Sequence, residues 1–126
     1  MKYKTVTKVN PQNRTAPPKY YAVPVYAGEI NLKRLSSEIA ALSSLSAGDV
    51  YNVLANFTES LPKYLNDGYK VRLGDFGILK ASFSSEGTDT PQQIVPARIR
   101  HRKILYTPGK DIKTQMDAMT FTSENG

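Results

Sequence analysis

The chain has 126 residues, 40% of them hydrophobic, which is enough for one domain with a core and too short for two. It has a net charge of +6 and no cysteine, so disulfides and thiolate metal sites are excluded. No run approaches the roughly 18 apolar residues of a membrane span, and no signal peptide is visible, so we expect a cytoplasmic protein without a membrane partner.

The first 27 residues are expected to form an extension ahead of the first helix. Four prolines between positions 11 and 24 interrupt regular structure. Tyr3–Val6 and Lys19–Tyr26 nevertheless have the β-branched and aromatic content of strands. We therefore set residues 1–27 apart as a basic, Pro-rich N-terminal extension.

Two amphipathic helices are predicted next. The first begins after Asn31, a suitable N-cap, and the second begins after Ser46, which forms a capping box with Asp49. Asn66-Asp67-Gly68 ends the second helix. The apolar stripes at helical spacing are Leu32, Leu35, Ile39 and Leu42 in the first helix, and Val50, Val53, Leu54, Phe57 and Leu61 in the second. Together they exceed what one small sheet would cover, which predicts a homodimer.

From Tyr69 the apolar period changes to two, which is typical of strands with one buried face. The pattern predicts a strand over Tyr69–Leu73, a turn at Gly74–Gly77 and a returning strand over Ile78–Ser84. Residues 84–93 have almost nothing to bury and are predicted to form a projecting tip. Residues 94–106 return as the third strand.

A short final helix follows the third strand. Thr107 is predicted to be its N-cap and Pro108 its first residue. Its apolar face consists of Ile112, Met116 and Met119. Residues 120–126 are set apart as a C-terminal tail.

Two motifs in this order resemble the HU/IHF family of bacterial histone-like DNA-binding proteins. Gly68–Gly77 is similar to the family's glycine-started strand that ends in a Gly-x-Phe-Gly turn. Tyr106–Lys110 is similar to the aromatic-x-Pro-Gly-Lys entry to the family's last helix. With a basic segment ahead of these elements, the whole chain resembles the HU-related branch that has an N-terminal extension.

The resemblance implies an α+β, HU/IHF-like fold. This fold has two N-terminal helices, a three-stranded antiparallel sheet with a projecting β-hairpin arm at about residues 80–103, and a short C-terminal helix. It implies an intertwined dimer whose HU-like DNA-binding domain spans residues 28–119. The implied function is histone-like, nucleoid-associated binding of double-stranded DNA with little sequence preference, in which paired basic arms grip the minor groove and bend the DNA.

The charge distribution and the resemblance together select the candidate binding residues. Five cations and no acid fall within residues 1–27, and four bases fall within residues 98–103, a distribution that indicates a polyanionic partner. Arg98, Arg100 and Arg102 recur at a spacing of two, so in a regular strand all three would leave the same face. The predicted DNA-binding residues are Arg72, Lys80, Pro91, Arg98, Arg100, Arg102, Lys103, Lys110 and Lys113.

The predicted tip departs from the family pattern. The arms of HU and IHF usually carry a basic tip whose proline wedges between base pairs. Here the corresponding stretch, Glu86–Pro91, holds two acids and no base. Only modest bending is therefore expected.

No pattern in the sequence indicates an enzyme, a cofactor or a small-molecule substrate. Asp75-Phe76-Gly77 spells the metal-binding triplet of kinases, but the other kinase motifs are missing. The lone His101 has no partner for a metal site. The alternative function is a dimeric HU-fold interaction or structural module that does not bend DNA, and RNA binding is a more distant alternative.

Overall fold

The computed structural model describes residues 1–125; Gly126, the last residue of the predicted tail, lies outside them. The described elements in chain order are β1 (Lys2–Lys8), β2 (Lys19–Val25), α1 (Leu32–Ala41), α2 (Ala47–Asn66), β3 (Val71–Arg72), β4 (Gly77–Ser85), β5 (Ile99–Pro108), α3 (Lys110–Asp117) and β6 (Thr122–Ser123). They divide into two compact units, one formed by both chain ends and the other by Leu32–Met116.

The predicted HU/IHF-like architecture is wrong, because two strands precede the helices and a second sheet is present. β1 and β2 form an antiparallel hairpin, and β6 pairs with β1 in parallel. Within residues 1–125 the chain is thus a mixed α+β protein with three helices and two three-stranded sheets. β1 and β2, rich in β-branched and aromatic residues, flank the Pro-rich turn and satisfy each other's backbone hydrogen bonds. The segment set apart as a tail adds the third strand, β6, to this sheet.

In the unit formed by Leu32–Met116, which we call the central unit, α1 and α2 begin where the sequence predicts. The Ser46 side chain caps α2 by accepting a hydrogen bond from the Asp49 backbone N–H at 3.1 Å. The stripe predicted for α1 extends too far, because the helix ends at Ala41 and Leu42 is 90% exposed. The buried core of the described chain is small. Only Val50 and Leu65 are buried among its large hydrophobic side chains.

The second sheet has the order β3-β4-β5, with antiparallel pairing throughout. β3 is shorter than predicted, and β5 begins later because short 3₁₀ turns occupy Pro91–Gln93 and Pro96–Arg98. The last helix also begins later than predicted. Pro108 ends β5 and α3 starts at Lys110, since Pro108 remains paired with Gly77 in the sheet.

The two motifs that carry the family resemblance meet in space and form one joint. The Phe76 carbonyl oxygen accepts hydrogen bonds from the Gly109 backbone N–H at 3.0 Å and from the Tyr106 hydroxyl at 2.6 Å. The Phe76 and Tyr106 rings stack with centroids 4.8 Å apart. A Cβ atom on Gly109 would overlap the Asp75 carbonyl, so only glycine fits there. The joint fixes α3 against the turn before β4.

Gly109→Ala is therefore expected to destabilise the protein by at least about 2 kcal/mol, as overpacking a tight site does. Gly87→Ala is the matched control, because nothing lies within 4 Å of a Cβ atom added there. Urea unfolding followed by circular dichroism measures both variants. Equal stability of the two variants would contradict the close packing of the two motifs.

Candidate nucleic-acid interface

One face of the β3-β4-β5 sheet forms an apolar groove with α2. The sheet contributes Leu79, Ala81, Phe83 and Ile104, and the helix contributes Phe57, Leu61 and Leu65. The groove has a volume of about 710 Å³. Several of its side chains are widely exposed, Phe83 by 61% and Ile104 by 55%. The groove is therefore a candidate surface for a partner.

Cations gather on the opposite face of the same sheet. Directly paired residues in an antiparallel ladder place their side chains on the same face, so the register assigns each cation. Arg72 pairs with Ile78, Lys80 with Leu105, Lys103 with Ser82, and Arg100 with Ser84. The β4 residues in these four pairs are all even-numbered, whereas the apolar groove residues on β4 are odd-numbered. The pair of Ser82 and Lys103, next to the register shift, also reaches the groove. We call Arg72, Lys80, Arg100 and Lys103 the basic face.

The predicted ladder of Arg98, Arg100 and Arg102 on one face is wrong because β5 is not a regular strand. The register shifts between Ser82 and Ser84, whose partners on β5 are Lys103 and Arg100. Two residues of β5 therefore oppose one residue of β4, which defines a β-bulge. His101, inside the bulge, has a φ of 56°. The extra residue reverses the alternation and separates Arg100 from Arg102.

The remaining predicted arm residues lie elsewhere. Arg98 lies in the 3₁₀ turn that precedes β5, and Arg102 lines the apolar groove. Lys103 stands at the bulge and also contributes to the lining of the groove. The structure thus brings Arg72, Lys80, Arg100 and Lys103 to one face and does not bring Arg98 and Arg102 to it. The sequence shows no signal for the bulge, since no glycine marks it.

The tip of the arm is ordered by its own hydrogen bonds. The Gln93 side-chain oxygen accepts from the backbone N–H of Asp89 at 3.1 Å, and a 3₁₀ turn begins at Pro91. Glu86 lies 3.8 Å from the Arg100 guanidinium, with both side chains largely exposed. An exposed pair at this distance contributes little stability. It does place a negative charge beside the basic face.

Two predicted residues lie on α3. Lys110 is the first residue of the helix and Lys113 follows one turn later, and both are exposed. The Lys113 backbone N–H donates to the Gly109 carbonyl oxygen at 3.0 Å. The backbone that carries them is thus anchored by the joint between the two motifs, and their side chains are available for phosphate contact.

Residues 1–125 hold no group of three or more His, Asp or Glu side chains placed to bind a metal ion. Across the same residues, no helix is long and apolar enough to cross a membrane. The candidate interface consists of the basic face, on which Lys80 is half-buried and the other three cations are exposed, and of the apolar groove.

Comparison with known proteins identifies the family. A family described as an HU domain fused to a winged helix-turn-helix, Ig or glycine-rich motif, HU-HIG, matches residues 1–123. The chain belongs to the HU-HIG family. The match includes the N-terminal hairpin, so the family's domain covers more than the segment from Leu32 to Met119 in which the HU resemblance lies.

One solved structure shows the same fold. It is a protein from Bacteroides vulgatus provisionally described as a bacterial DNA-binding protein. The two share 11% sequence identity with a TM-score of 0.58, over 98% of this chain and 48% of the other. The chain thus spans about half the length of this solved structure. No curated protein matches the sequence significantly.

Proposed function

We propose that this HU-HIG protein is a non-enzymatic, nucleoid-associated protein that binds double-stranded DNA with little sequence preference. The observation that carries the proposal is the basic face, where four cations share one side of a sheet. The opposite side is an apolar groove that a second copy would cover. Membership in the HU-HIG family and the DNA-binding description of the Bacteroides vulgatus protein support it.

The affinity comes from the neutralisation of phosphates by the basic face, assisted by Lys110 and Lys113. These residues contact the backbone and position the protein, and they carry no base-specific information. Selectivity then depends on how easily the duplex deforms. Because HU and IHF are architectural proteins that bind the minor groove, we assign the minor groove here by analogy with them.

The protein is proposed to act as a homodimer joined through the apolar groove. With two large hydrophobic side chains buried in the described chain, a single copy has a small core of its own. A second copy laid against Phe57, Phe83 and Ile104 would remove these side chains from water. Burial of apolar surface drives association in this way.

Sedimentation at micromolar concentration is expected to give about twice the 14.0 kDa of one chain. Phe57→Asp should raise the dissociation constant of the dimer by on the order of 10²-fold or more, since a charge would be buried in the interface. Leu42→Asp is the control, because Leu42 is 90% exposed and lies outside the groove. A parent protein that sediments as a monomer and unfolds cooperatively would contradict the homodimer.

Only modest bending of the duplex is proposed. A side-chain wedge costs a few kcal/mol of base unstacking, which contacts with the bent duplex must offset. Glu86 and Asp89 would repel the phosphates that a bend brings toward Pro91. Pro91→Ala is therefore expected to change the bend angle and the affinity little, as measured by fluorescence transfer across a short duplex. A sharp bend that collapses in this variant would show that Pro91 is a wedge.

A titration of one random sequence in three forms tests the proposal. The parent should bind the duplex more tightly than the single strand or the corresponding double-stranded RNA. Equal affinity for RNA would favour the RNA alternative. A dimer that binds none of the three would instead support a protein-interaction or structural module.

A further inference from the structure

We infer that the N-terminal sheet carries a second surface for duplex DNA, distinct from the basic face. The inference rests on the proposed DNA-binding function. It gives the N-terminal hairpin, which has no part in the basic face, a contact with the same DNA. The group recognised is the phosphate backbone.

The pairing of β1 with β2 places four lysines on one face of the hairpin. Lys2, Lys4 and Lys8 occupy alternate positions of β1, so their side chains leave the same face. Lys19 is paired directly with Lys8 and shares that face. All four are exposed. We call Lys2, Lys4, Lys8 and Lys19 the lysine face.

A contact between side chains supports this assignment. The Lys8 Nζ atom lies 5.4 Å from the centroid of the Tyr21 ring. Tyr21 is paired with Val6, two positions from Lys8, so it belongs to the same face. The contact is a cation–π interaction, which steadies Lys8 and leaves its charge on the surface.

The other face of the hairpin carries no cation. Its residues on β1 and β2 are Tyr3, Thr5, Thr7, Tyr20, Ala22 and Pro24. Lysines that served only solubility would have no reason to avoid this face. The segregation therefore indicates a partner that meets one side of the sheet.

The lysine face is also electrostatically unfavourable in the free protein. Lys8 and Lys19 are directly opposite each other, and like charges in this position destabilise a hairpin. Within residues 1–125, neither ion pair of the structure involves any of the four lysines. Residues 1–27 contain no acid. A polyanion across the face would relieve this repulsion.

The dimensions of the face suit a duplex. From Lys2 to Lys8 the three β1 lysines extend over roughly 20 Å at about 3.4 Å per residue. Duplex DNA carries one charge per roughly 1.7 Å of its axis, so each lysine meets a different phosphate. The contact would read no bases, in agreement with binding that tolerates sequence.

Two double variants with the same change of charge test the sidedness. Lys4→Gln with Lys8→Gln and Thr5→Glu with Thr7→Glu each lower the net charge by two, on opposite faces of one strand. In the full chain at about 0.1 M salt, the lysine variant should weaken binding to a random duplex by about 10-fold or more and lower the salt slope by roughly 1.8 per engaged chain. The threonine variant should stay within about threefold of the parent. Equal losses in the two would show that net charge alone acts and would overturn the inference.

A third variant separates binding from folding. Lys19→Glu replaces the repulsive pair with an ion pair to Lys8, so thermal stability should stay equal or rise while duplex affinity falls by about 10-fold. Unchanged affinity in this variant would overturn the inference. Arg100→Ala, on the basic face, distinguishes the two proposals. If it weakens binding while the lysine variants do not, the DNA-binding function stands and the second surface fails; if the parent binds no duplex, both fail.

Discussion

Duplex affinity is expected to fall by about 10³–10⁵-fold between 50 and 200 mM salt. The basic face offers four cations per chain, and the proposed dimer would present it twice. Such a dimer would neutralise roughly 6–10 phosphates, and each neutralised phosphate releases counterions, a release that added salt makes less favourable. The binding is measured by fluorescence anisotropy with a random duplex at four or more salt concentrations.

A change of anion is the control for this result. Magnesium-free chloride and acetate series should give the same trend, because the effect comes from the cations displaced from DNA. A flat response would contradict phosphate-driven binding. Discrimination of one site from random DNA by more than about 10³-fold would contradict the proposed sequence tolerance.

Removing Lys80 and Arg100 by alanine substitution is expected to weaken duplex binding by about 10²-fold near 0.1 M salt. A dimer would lose four phosphate contacts, each worth several-fold at this salt concentration. Both residues belong to the basic face, and Arg100 lies next to the bulge. The change is measured by the same titration, with circular dichroism to verify that the fold is retained.

The matched control removes the same charge from the same arm. Arg98→Ala with Arg102→Ala leaves the basic face intact, because Arg98 precedes β5 and Arg102 lines the groove. Because the groove is the proposed dimer interface, sedimentation verifies that this variant is still a dimer. A loss below about 10-fold is expected. If this pair weakens binding as much as the first pair, the basic face does not define the interface.

Local signals in the sequence predicted much of the central unit. Ser46 and Asp49 mark the start of α2 because a side-chain cap needs only near neighbours. Val71 alternates with Arg72 in a short strand for the same reason, since alternation is a local property. The two glycine motifs were identified by resemblance, and the structure explains them through the joint at Phe76.

The sheet formed by β1, β2 and β6 could not be predicted because it depends on contacts between the two chain ends. Thr122 pairs with Lys2, and the amino terminus donates to the Thr120 carbonyl oxygen at 2.7 Å. Two residues of β6 carry no periodicity that a sequence pattern can detect. The strand content around Tyr3 and over Lys19–Tyr26 was visible in the sequence, but the pairing with β6 was not.

The charge pattern selected the candidate binding residues, but the spacing argument wrongly placed Arg98, Arg100 and Arg102 on one face. A spacing of two places Arg98, Arg100 and Arg102 on one face only if the strand is regular. His101 adopts a positive φ, which few residues other than glycine do, so no residue type indicated the bulge. One extra residue moves side chains to the opposite face of a sheet. The basic face became visible only through the register.

Two neighbouring serines test the location of the DNA most directly. Ser84 is paired with Arg100 on the basic face, whereas Ser85 is paired with Ile99 on the opposite face, and both are exposed. Ser84→Glu and Ser85→Glu add the same charge one residue apart. In an anisotropy titration with a random duplex near 0.1 M salt, Ser84→Glu should weaken binding by on the order of 30-fold, through repulsion of phosphates and neutralisation of Arg100. Ser85→Glu should change the affinity by less than about threefold, with sedimentation to verify that it is still a dimer, since Ile99 lines the groove. Equal losses in the two dimeric variants, or a larger loss in Ser85→Glu, would contradict binding through the basic face.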